Sequence, residues 1–326
     1  MRGLRFTGDE KFHRVIEFFD LMKLTQLQMV LAIADKGSLR AAARELGITQ
    51  PSFTHSLADL ERELGASLFE RSAHGMVPTP VGEVFLRRAA VINNDARRAR
   101  EEVAQFLGND QGEVLMGLSV VAHLVLLPMA LPLFRQRFPR VRLRIVEGAF
   151  PAMESRLRDG SMDFYVGPVP ELPPGSEFHM EKLFDNTRAV FARRGHPLAQ
   201  AQSLAEIAHA PWITTGITGK AEAEFLELFH QLGLPQPQLA IEAESMLTLL
   251  TALMTTDALA ITLRQYDEHP LTRSVLQRIE VKEVLPAPPI VVIKRVALPL
   301  TPAADYLCDM FRRASIAYLA SLPKPN

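Results

Sequence analysis

Apolar residues between positions 24 and 64 recur three and four residues apart, which predicts three consecutive helices. The first covers about Leu24 to Asp35 and ends before Gly37, a residue suited to a left-handed C-terminal position. The second is rich in alanine, a strong helix former, and Ser38 is its expected N-cap. The third follows a Thr49 cap, and its expected buried stripe consists of Phe53, Leu57, Leu60 and Leu64.

The second and third predicted helices are joined by a short turn, which is typical of a helix-turn-helix that lays its second helix in the major groove of DNA. Two short extended runs after Leu68 flank a turn at His74 and Gly75, which predicts a hairpin wing. Gln can read adenine through two hydrogen bonds, and Ser, Thr, Arg and His can contact bases or phosphates. The candidate DNA contacts lie at the two helix starts and in the wing: Ser38, Arg40, Gln50, Ser52, Thr54, His55, Arg71 and His74. The alternative from spacing alone is that these residues form the solvated faces of a small helical domain.

One long helix is predicted from about Pro80 to Leu107, so that residues 22–82 form the reading domain and residues 83–108 a linker helix. Its apolar positions alternate by four and three residues, which indicates a heptad seam made of Phe85, Ala89, Ile92, Ala96, Ala99, Val103 and Phe106. Alanine in the seam would allow two such helices to approach closely. The alternative is a helix that packs only on its own domain.

From Glu113 onward, short apolar strands alternate with helices, which predicts an α/β fold with mostly parallel sheets. Four prolines between positions 168 and 174 mark a crossover, and a return is expected near position 296. We therefore expect two lobes joined by two strands, with residues 113–169 and 296–326 in lobe I and residues 170–295 in lobe II. This is a periplasmic-binding-protein-like architecture, in which ligands bind in a cleft at the C-terminal ends of strands.

Hydroxyl-bearing residues recur at the junctions where predicted strands lead into helices. A helix N-terminus offers free N–H groups and a positive dipole end, so a cleft lined by such junctions suits a carboxylate, sulfonate or phosphate. The candidate ligand-binding residues are these hydroxyls with their apolar or aromatic neighbours: Ser119, Val120, His123, Phe150, Thr214, Thr215, Ser245, Met246 and Thr262. The alternative is that each hydroxyl is an ordinary N-cap.

Composition narrows the class of protein. The 326 residues carry a formal net charge of -1, so any DNA-binding face must be local rather than global. Cys308 is the single cysteine, which rules out a disulfide within the chain and suits a reducing cytoplasm. No apolar run is long enough to predict a membrane span. Residues 1–21 are expected to be an extension without the apolar core of a signal peptide.

Sequence patterns of enzymes and metal sites are missing. The nine histidines are dispersed along the chain, and no HExxH or CxxC pair is present. No Walker loop, GxGxxG fingerprint or GxSxG elbow occurs. We therefore expect no catalytic residues, no metal and no cofactor.

From Met22 to Gly82 the sequence resembles the winged helix-turn-helix of LysR-type transcriptional regulators. The resemblance extends over the whole stretch, and a series of this length is specific. Two positions depart from the family, which often has arginine where this chain has His55 and His74. The matching text is Gly37-Ser38-Leu39, Ala41-Ala42-Ala43, Leu46, Thr49-Gln50-Pro51, Leu60-Glu61, Leu64-Gly65, Leu68-Phe69-Glu70-Arg71 and Thr79-Pro80-Val81-Gly82.

The resemblance implies a cytoplasmic transcriptional regulator whose third helix reads double-stranded promoter DNA and whose wing touches its backbone. It also implies a homodimer formed through the linker helix, a homotetramer, and RNA polymerase as a possible further partner. The two-lobed domain is then expected to bind a small effector, an organic anion, with aromatic carboxylates and sulfonates among the candidates. No membrane partner is expected.

A second hypothesis comes from the charge balance of the reading domain. The reading domain has six acidic and six basic side chains, so its net charge is close to zero. Few DNA phosphates would then be neutralised, and the salt dependence of DNA binding would be shallow. The alternative function is therefore a small-molecule-binding sensor with weak or lost DNA binding. The charges are Lys23, Lys36, Arg40, Arg44, Arg62 and Arg71 against Asp35, Glu45, Asp59, Glu61, Glu63 and Glu70.

Overall fold

A computed structural model of the chain describes residues 22–73, 75–109, 111–215 and 221–322. The N-terminal extension 1–21, predicted to precede the reading domain, lies outside the described residues. The chain forms two compact units. The first ends at Arg100 and also includes Asp159–Ser161, and the second contains the remaining residues from Glu101 onward.

The N-terminal unit is a helix-turn-helix with a hairpin wing, as the sequence predicts. Its three short helices pack around a core in which Val30, Ile33 and Phe53 are fully buried. Burying each such side chain contributes roughly 1.5–3 kcal/mol relative to leaving it in water. The elements are α1 Leu24–Lys36, α2 Leu39–Glu45, α3 Gln50–Leu64, β1 Phe69–Ser72, β2 Gly75–Pro78 and α4 Pro80–Phe106.

Local signals in the sequence set the ends of these helices. The hydroxyl of Ser38 accepts a hydrogen bond from the Ala41 N–H at 3.5 Å, and that of Thr49 accepts one from the Ser52 N–H at 3.4 Å. Both predicted caps are confirmed, and each contributes about 1 kcal/mol. Gly37 ends α1 in the left-handed conformation, and its carbonyl accepts a hydrogen bond from the Met76 N–H, which ties the wing to α1.

The second unit contains a seven-stranded mixed sheet and a separate pair of strands. The order in the large sheet is β10-β6-β11-β5-β3-β4, with β9 also paired to β6, and β7 pairs with β8. The strands are β3 Glu113–Leu118, β4 Arg142–Glu147, β5 Phe164–Pro168, β6 Phe178–Arg193, β7 Pro211–Thr215, β8 Gln238–Ala243, β9 Ala260–Leu263, β10 Leu276–Ile279 and β11 Pro286–Arg295.

Helices cover both faces of this sheet, which confirms the α/β class. One of them begins as a π-helical turn over Ala122–Leu126, where the sequence predicts a single helix from Val121 to Phe138. A 3-10 turn at Arg264–Asp267 follows β9. The α-helices are α5 Leu127–Arg137, α6 Phe150–Arg158, α7 Leu204–Ile207, α8 Ala221–Gln231, α9 Met246–Thr255, α10 Pro270–Arg273 and α11 Pro302–Ser321.

The expectation of mostly parallel sheets needs a correction. The pairs β3–β4, β3–β5 and β7–β8 are parallel, but β11 runs antiparallel to both β5 and β6, and β6 runs antiparallel to β9 and β10. The reason is that β6 and β11 carry the chain between lobes in opposite directions. The sequence pattern predicts a strand only over Ala189–Arg193, because the first half of β6 exposes charged residues such as Lys182 and Asp185.

The predicted lobe boundaries at 169/170 and 295/296 stay a prediction, and packing suggests a refinement. Phe184 of β6 and Ile290 of β11 are buried in a lobe I core with Phe134 and Phe311. Val190, further along β6, is buried instead with Trp212 and other lobe II residues. The change of lobe therefore lies within β6 and β11, and the β6–β11 register shifts between Ala287 and Ile290.

The start of α4 packs so closely on the reading domain that position 82 accepts only glycine. A Cβ on Gly82 would lie 1.9 Å from the carbonyl oxygen of Leu68. We expect Gly82→Ala to destabilise this unit by about 1–3 kcal/mol, because backbone must shift to relieve the overlap. Urea unfolding, with amide hydrogen exchange over α1–α3, measures the loss.

Gly65→Ala is the matched control, since Gly65 has a positive φ of 68° but no atom within 4 Å of an added Cβ. It should cost roughly 1 kcal/mol from backbone conformation alone. Equal stability of Gly82→Ala and the unaltered protein would contradict the close packing described here.

Candidate functional site

The N-terminal half of α3 presents a polar face to solvent because its apolar stripe points into the core. Phe53, Leu57 and Leu60 are buried, while the neighbouring positions are exposed. The exposed face forms a shallow depression that combines an amide, a hydroxyl and an imidazole with small apolar groups. Its lining residues are Gln50, Pro51, Thr54, His55 and Ala58.

Most polar side chains on this face have partners within the helix. The Thr49 hydroxyl donates to that of Ser52 at 3.0 Å, and the Thr54 hydroxyl donates to the Gln50 carbonyl at 3.0 Å. The His55 ring nitrogen Nδ1 lies 2.7 Å from the carboxylate of Asp59. Among the described residues, the side-chain amide of Gln50 has no hydrogen-bond partner. It is therefore the group on this face that can bind a base edge without first losing another bond.

The other predicted DNA contacts differ in exposure and in whether their polar groups already have partners. Ser38 is half-buried and holds the cap of α2, so its hydroxyl is already engaged. Arg40 on α2 and Arg71 on β1 are exposed, and neither has an ion-pair partner among the described residues. Arg44, which the sequence analysis did not single out, is also exposed and has no ion-pair partner among the described residues. It is therefore a further candidate for phosphate contact. His74 lies outside the described residues, so its predicted role stays a prediction.

Two of the basic side chains in this unit are neutralised by neighbours. Lys36 lies 2.8 Å from Asp35 and 3.4 Å from Glu45, and hydrogen bonds to these carboxylates raise its pKa. Arg62 lies 2.8 Å from Asp59. The basic side chains of residues 22–82 that have no ion-pair partner among the described residues are Lys23, Arg40, Arg44 and Arg71.

An apolar stripe runs along the exposed side of α4. Its members lie on one helical face and are large side chains with high exposure: Val81 51%, Val84 55%, Ile92 43%, Val103 60% and Phe106 87%. The predicted heptad seam needs a correction at its start, because Ala89 is buried in the core of the reading domain and Phe85 packs against that core. The exposed apolar stripe therefore begins at Val81 and Val84, which are not seam positions. It continues through Ile92, Val103 and Phe106 of the predicted seam.

Ser119 and His123 lie at the C-terminal end of β3, where the cleft was predicted. The Ser119 N–H donates to the Val166 carbonyl at 2.9 Å, and its hydroxyl accepts from the Ala122 N–H at 3.4 Å. The His123 ring nitrogen Nδ1 lies 3.0 Å from the Ser119 carbonyl oxygen and 3.9 Å from the carboxylate of Glu147. Val120 packs against a lobe II cluster, so this turn brings the two lobes together.

Lobe II contributes a hydroxyl-rich set from β9, the 3-10 turn and the start of α9. Ser245 caps α9 by accepting from the Thr248 N–H at 3.2 Å. The hydroxyl of Tyr266 donates to the sulfur of Met246 at 2.7 Å, and Thr262 is buried beside it. Burial raises the pKa of Tyr266, so its hydroxyl keeps its proton. Tyr266 and Glu147 were absent from the sequence-predicted set, because neither lies at a strand-to-helix junction that begins with a serine or threonine.

One predicted ligand contact, the ring of Phe150, lies in the lobe I core. The ring of Phe150 is 3% exposed and packs edge-on against Tyr165 and Phe178 at centroid distances of 5.7 Å and 6.0 Å. It is a core residue rather than a wall of the cleft. Thr214 is buried within β7 and Thr215 is half-buried at its end, so their predicted role stays a prediction. Residues 216–220, which follow, lie outside the described residues.

Residues 22–73, 75–109, 111–215 and 221–322 contain no group of three or more His, Cys, Asp or Glu side chains that could hold a metal ion. None of the described helices is long and apolar enough to cross a membrane.

Comparison with characterised sequences identifies the two parts of the chain separately. Residues 24–83 match the model of the bacterial regulatory helix-turn-helix protein, lysR family, and residues 107–315 match the LysR substrate binding domain. The regulator CbbR of Xanthobacter flavus is 27% identical over 308 residues, covering 92% of this chain and 90% of its own. The regulator GbpR of Azospirillum brasilense is 27% identical over 243 residues, covering 74% and 71% respectively.

Solved structures agree in fold. A full-length OxyR variant from Pseudomonas aeruginosa superposes with a TM-score of 0.68 at 22% identity, covering 93% of this chain and 99% of its own. CbnR, a LysR family transcriptional regulator, superposes at 0.64 with 21% identity, covering 90% and 99%. Because the substrate-binding model alone spans more than half of the residues and the helix-turn-helix model accounts for the reading domain, the chain belongs to the LysR family of transcriptional regulators.

Proposed function

We propose that this protein binds promoter DNA sequence-specifically through α3 and the wing, and that a small effector between the two lobes controls this activity. The observation that carries the proposal is the exposed N-terminal face of α3, where the Gln50 amide is unengaged among the described residues. CbnR, which has the same fold, has been solved in complex with its target DNA. A regulator of this kind acts in the compartment that holds the chromosome, which in a bacterium is the cytoplasm.

On this proposal, base reading and phosphate contact fall to different residues. Gln50 presents two donors and an acceptor and suits adenine, whose major-groove edge offers N6 and N7. Arg40, Arg44 and Arg71 are exposed cations suited to phosphates. Lys36 and Arg62 are held by carboxylates, so they add little to the salt dependence of binding.

The effector is proposed to bind at the strand ends around Ser119, His123, Thr262 and Tyr266. Helix N-termini and hydroxyl donors at this edge support an organic anion, as the sequence predicts. A ligand can control DNA binding only if it binds one arrangement of the lobes more tightly than another. The contact of Val120 with lobe II makes this turn sensitive to the arrangement of the lobes.

The oligomer is proposed to form through the apolar stripe of α4, in keeping with the heptad spacing. Large apolar side chains exposed in a row are costly in a monomer and indicate a partner surface. A dimer places two reading domains on one DNA site, and a homotetramer and contact with RNA polymerase remain proposals that rest on the family. A non-enzymatic role is proposed because the relatives are transcriptional regulators.

The alternative function, a sensor with weak or lost DNA binding, predicts ligand binding without a DNA footprint. The charge balance of the reading domain motivates it. Titration of the full-length protein onto the DNA upstream of its own gene separates the two. Salt-sensitive, sequence-preferring binding supports the regulator, and its absence supports the sensor.

Gln50→Ala tests base reading. We expect specific binding to weaken by about 1–3 kcal/mol while binding to unrelated DNA is unchanged, because a base contact is lost but no phosphate contact. Fluorescence anisotropy with matched specific and scrambled duplexes measures both. Glu63→Ala, at the other end of the same helix, is the control and should leave the ratio intact. An unchanged ratio for Gln50→Ala would show that Gln50 reads no base.

A double change of Ile92→Asp and Val103→Asp tests the stripe on α4. We expect the dimer to dissociate at least tenfold more readily, because two carboxylates per chain would be buried in an apolar contact. Sedimentation velocity over a range of protein concentrations reports the change. Arg100→Asp adds the same side chain at an exposed position off the stripe and should leave the oligomer intact. Unaltered assembly of the double variant would place the interface elsewhere.

Cys308 bears on whether this chain switches by thiol oxidation. The thiol is 0% exposed in the lobe I core, and burial raises its pKa to about 11. A thiolate is the reactive form, so the native protein should give no reaction with Ellman's reagent at pH 8 and one equivalent after unfolding in urea. Rapid native labelling would contradict the buried placement of the Cys308 thiol.

A further inference from the structure

The 3-10 turn Arg264–Asp267 packs against both lobes. Leu263, which leads into the turn, packs against the lobe I core and also against the lobe II cluster that contains residues of α9 and β9. Tyr266 is 2% exposed within that lobe II cluster, where its ring lies edge-on to Phe191 at a centroid distance of 5.9 Å. A rotation of one lobe against the other must therefore strain or move this turn.

The side chain of Gln265 connects the turn to lobe I. It is 2% exposed, and its amide nitrogen donates to the Asn186 side-chain oxygen at 2.8 Å and to the Tyr318 hydroxyl at 3.2 Å. The Tyr318 ring lies in the lobe I core against Phe184, at a centroid distance of 5.2 Å. Its hydroxyl also faces the side chain of Glu268, just after the turn. We call Asn186, Gln265, Glu268 and Tyr318 the crossing cluster.

The crossing cluster lies where the β6–β11 ladder is interrupted. Asn186 is paired with Ala287 in that ladder, and the register shifts between Ala287 and Ile290. A ladder is locally disrupted at such a shift, so it resists a change of strand direction less there than in a regular stretch. The side-chain hydrogen bonds of the cluster therefore carry a larger share of the resistance to lobe rotation at this point.

Two buried atoms of the turn have no hydrogen-bond partner among the described residues. They are Oε1 of Gln265, an acceptor, and Nε of Arg264, a donor. A buried polar atom without a partner costs free energy, so this arrangement of the turn does not satisfy its polar groups fully. A second arrangement that pairs or exposes the two atoms would recover that cost. The turn thus has a reason to adopt two arrangements, which close apolar packing alone would not give it.

We propose that the crossing cluster is a latch, which holds the two lobes in the arrangement seen in the structure and opens when the 3-10 turn moves. Tyr266 and Thr262, the proposed effector contacts of lobe II, lie next to Gln265 and three residues before it in the sequence. A ligand that shifts Tyr266 would draw the Gln265 amide away from its two acceptors. This link to the effector rests on the proposed function, whereas the latch itself does not.

The latch is the two-state element that effector control requires. A ligand changes the balance of two arrangements only through its unequal affinity for them, and the cluster sets the balance on which the ligand acts. The residues of the cluster act through their position, because the contacts that hold the lobes together are separate from the proposed ligand contacts. A weaker latch should therefore change the lobe arrangement in the absence of any ligand.

Tyr318→Phe tests the latch with little disturbance of packing. The change removes the hydroxyl that accepts from Gln265 and keeps the ring that packs against Phe184. We expect the arrangement seen in the structure to lose population against the second one by about 2- to 10-fold, the effect of one ordinary hydrogen bond. Tyr306→Phe is the matched control, because it makes the same change on the same helix outside the crossing cluster.

Double electron–electron resonance on the full-length protein measures the lobe arrangement. Spin labels on Gln136→Cys in α5 and Ala205→Cys in α7 report the distance between the lobes, since both positions are exposed. Cys308 is fully buried and does not compete for the label. An excess of unlabelled protein removes distances between subunits of an oligomer. We expect a new or enlarged second distance population in Tyr318→Phe and an unchanged distribution in Tyr306→Phe.

Thermal unfolding of the same variants separates a latch from a contact that only stabilises the fold. If Tyr318→Phe lowers the unfolding temperature and leaves the distance distribution unchanged, the cluster is purely structural and the proposal is wrong. Equal changes of the distribution in Tyr318→Phe and Tyr306→Phe also overturn it, because the effect would then not belong to the cluster.

Binding to promoter DNA, measured on the same preparations, keeps this test apart from the proposed function. Specific DNA binding together with an unchanged distribution in Tyr318→Phe overturns the latch alone. A changed distribution in a protein without any specific DNA binding supports the latch and points to the sensor alternative.

Discussion

The antiparallel pairing of β6 with β11 is the constraint on which the second unit depends. These two strands carry the chain from one lobe to the other and back, and their hydrogen bonds join both lobes into one sheet. Strand β6 contributes buried residues to both lobes, because Phe184 and Val190 lie in different cores. A shift in register near Ala287 interrupts the ladder at the crossing, where a change in lobe angle costs the fewest hydrogen bonds.

A buried polar cluster marks the same crossing. The side-chain amide of Gln265, at 2% exposure, donates to Asn186 on β6 at 2.8 Å and to the Tyr318 hydroxyl on α11 at 3.2 Å. These three residues come from the 3-10 turn, the crossing strand and the C-terminal helix. Polar contacts of this kind need specific geometry, so they hold the lobes in one arrangement more selectively than apolar packing does. Two residues of the proposed cleft lie close to Gln265 in the sequence. Tyr266 follows it in the 3-10 turn, and Thr262 lies in β9 just before that turn.

On the N-terminal half of α3, most polar side chains bond to one another or to the backbone. The Thr49 hydroxyl donates to Ser52, the Thr54 hydroxyl donates to the Gln50 carbonyl, and His55 pairs with Asp59. The side-chain amide of Gln50 has no such partner among the described residues. Family membership accounts for the overall plan, and Gln50 is the group through which we propose that this chain reads its own DNA site.

Local sequence signals were sufficient for the helix-turn-helix. Its helices begin and end at residues with intrinsic preferences, such as the Ser38 and Thr49 caps and the left-handed Gly37, and its core follows from helical spacing. The α/β class and most helices of the second unit could likewise be predicted from apolar periodicity. The resemblance to the family added the expected dimerising role of the long helix and the expectation that the two-lobed domain binds an effector.

Only the tertiary structure decided the order of the strands, the partners of β6 and which residues line the proposed cleft. Strand pairing between distant segments is set by packing, and the exposed charges on the first half of β6 conceal it from any periodicity. Phe150 and Ala89 look like surface residues in a local pattern, yet neighbouring elements bury both. Tyr266 was missed because its position in the 3-10 turn carries no local sign of a site. Its hydroxyl lies beside Met246 and Thr262 only because the fold brings β9 and the start of α9 together.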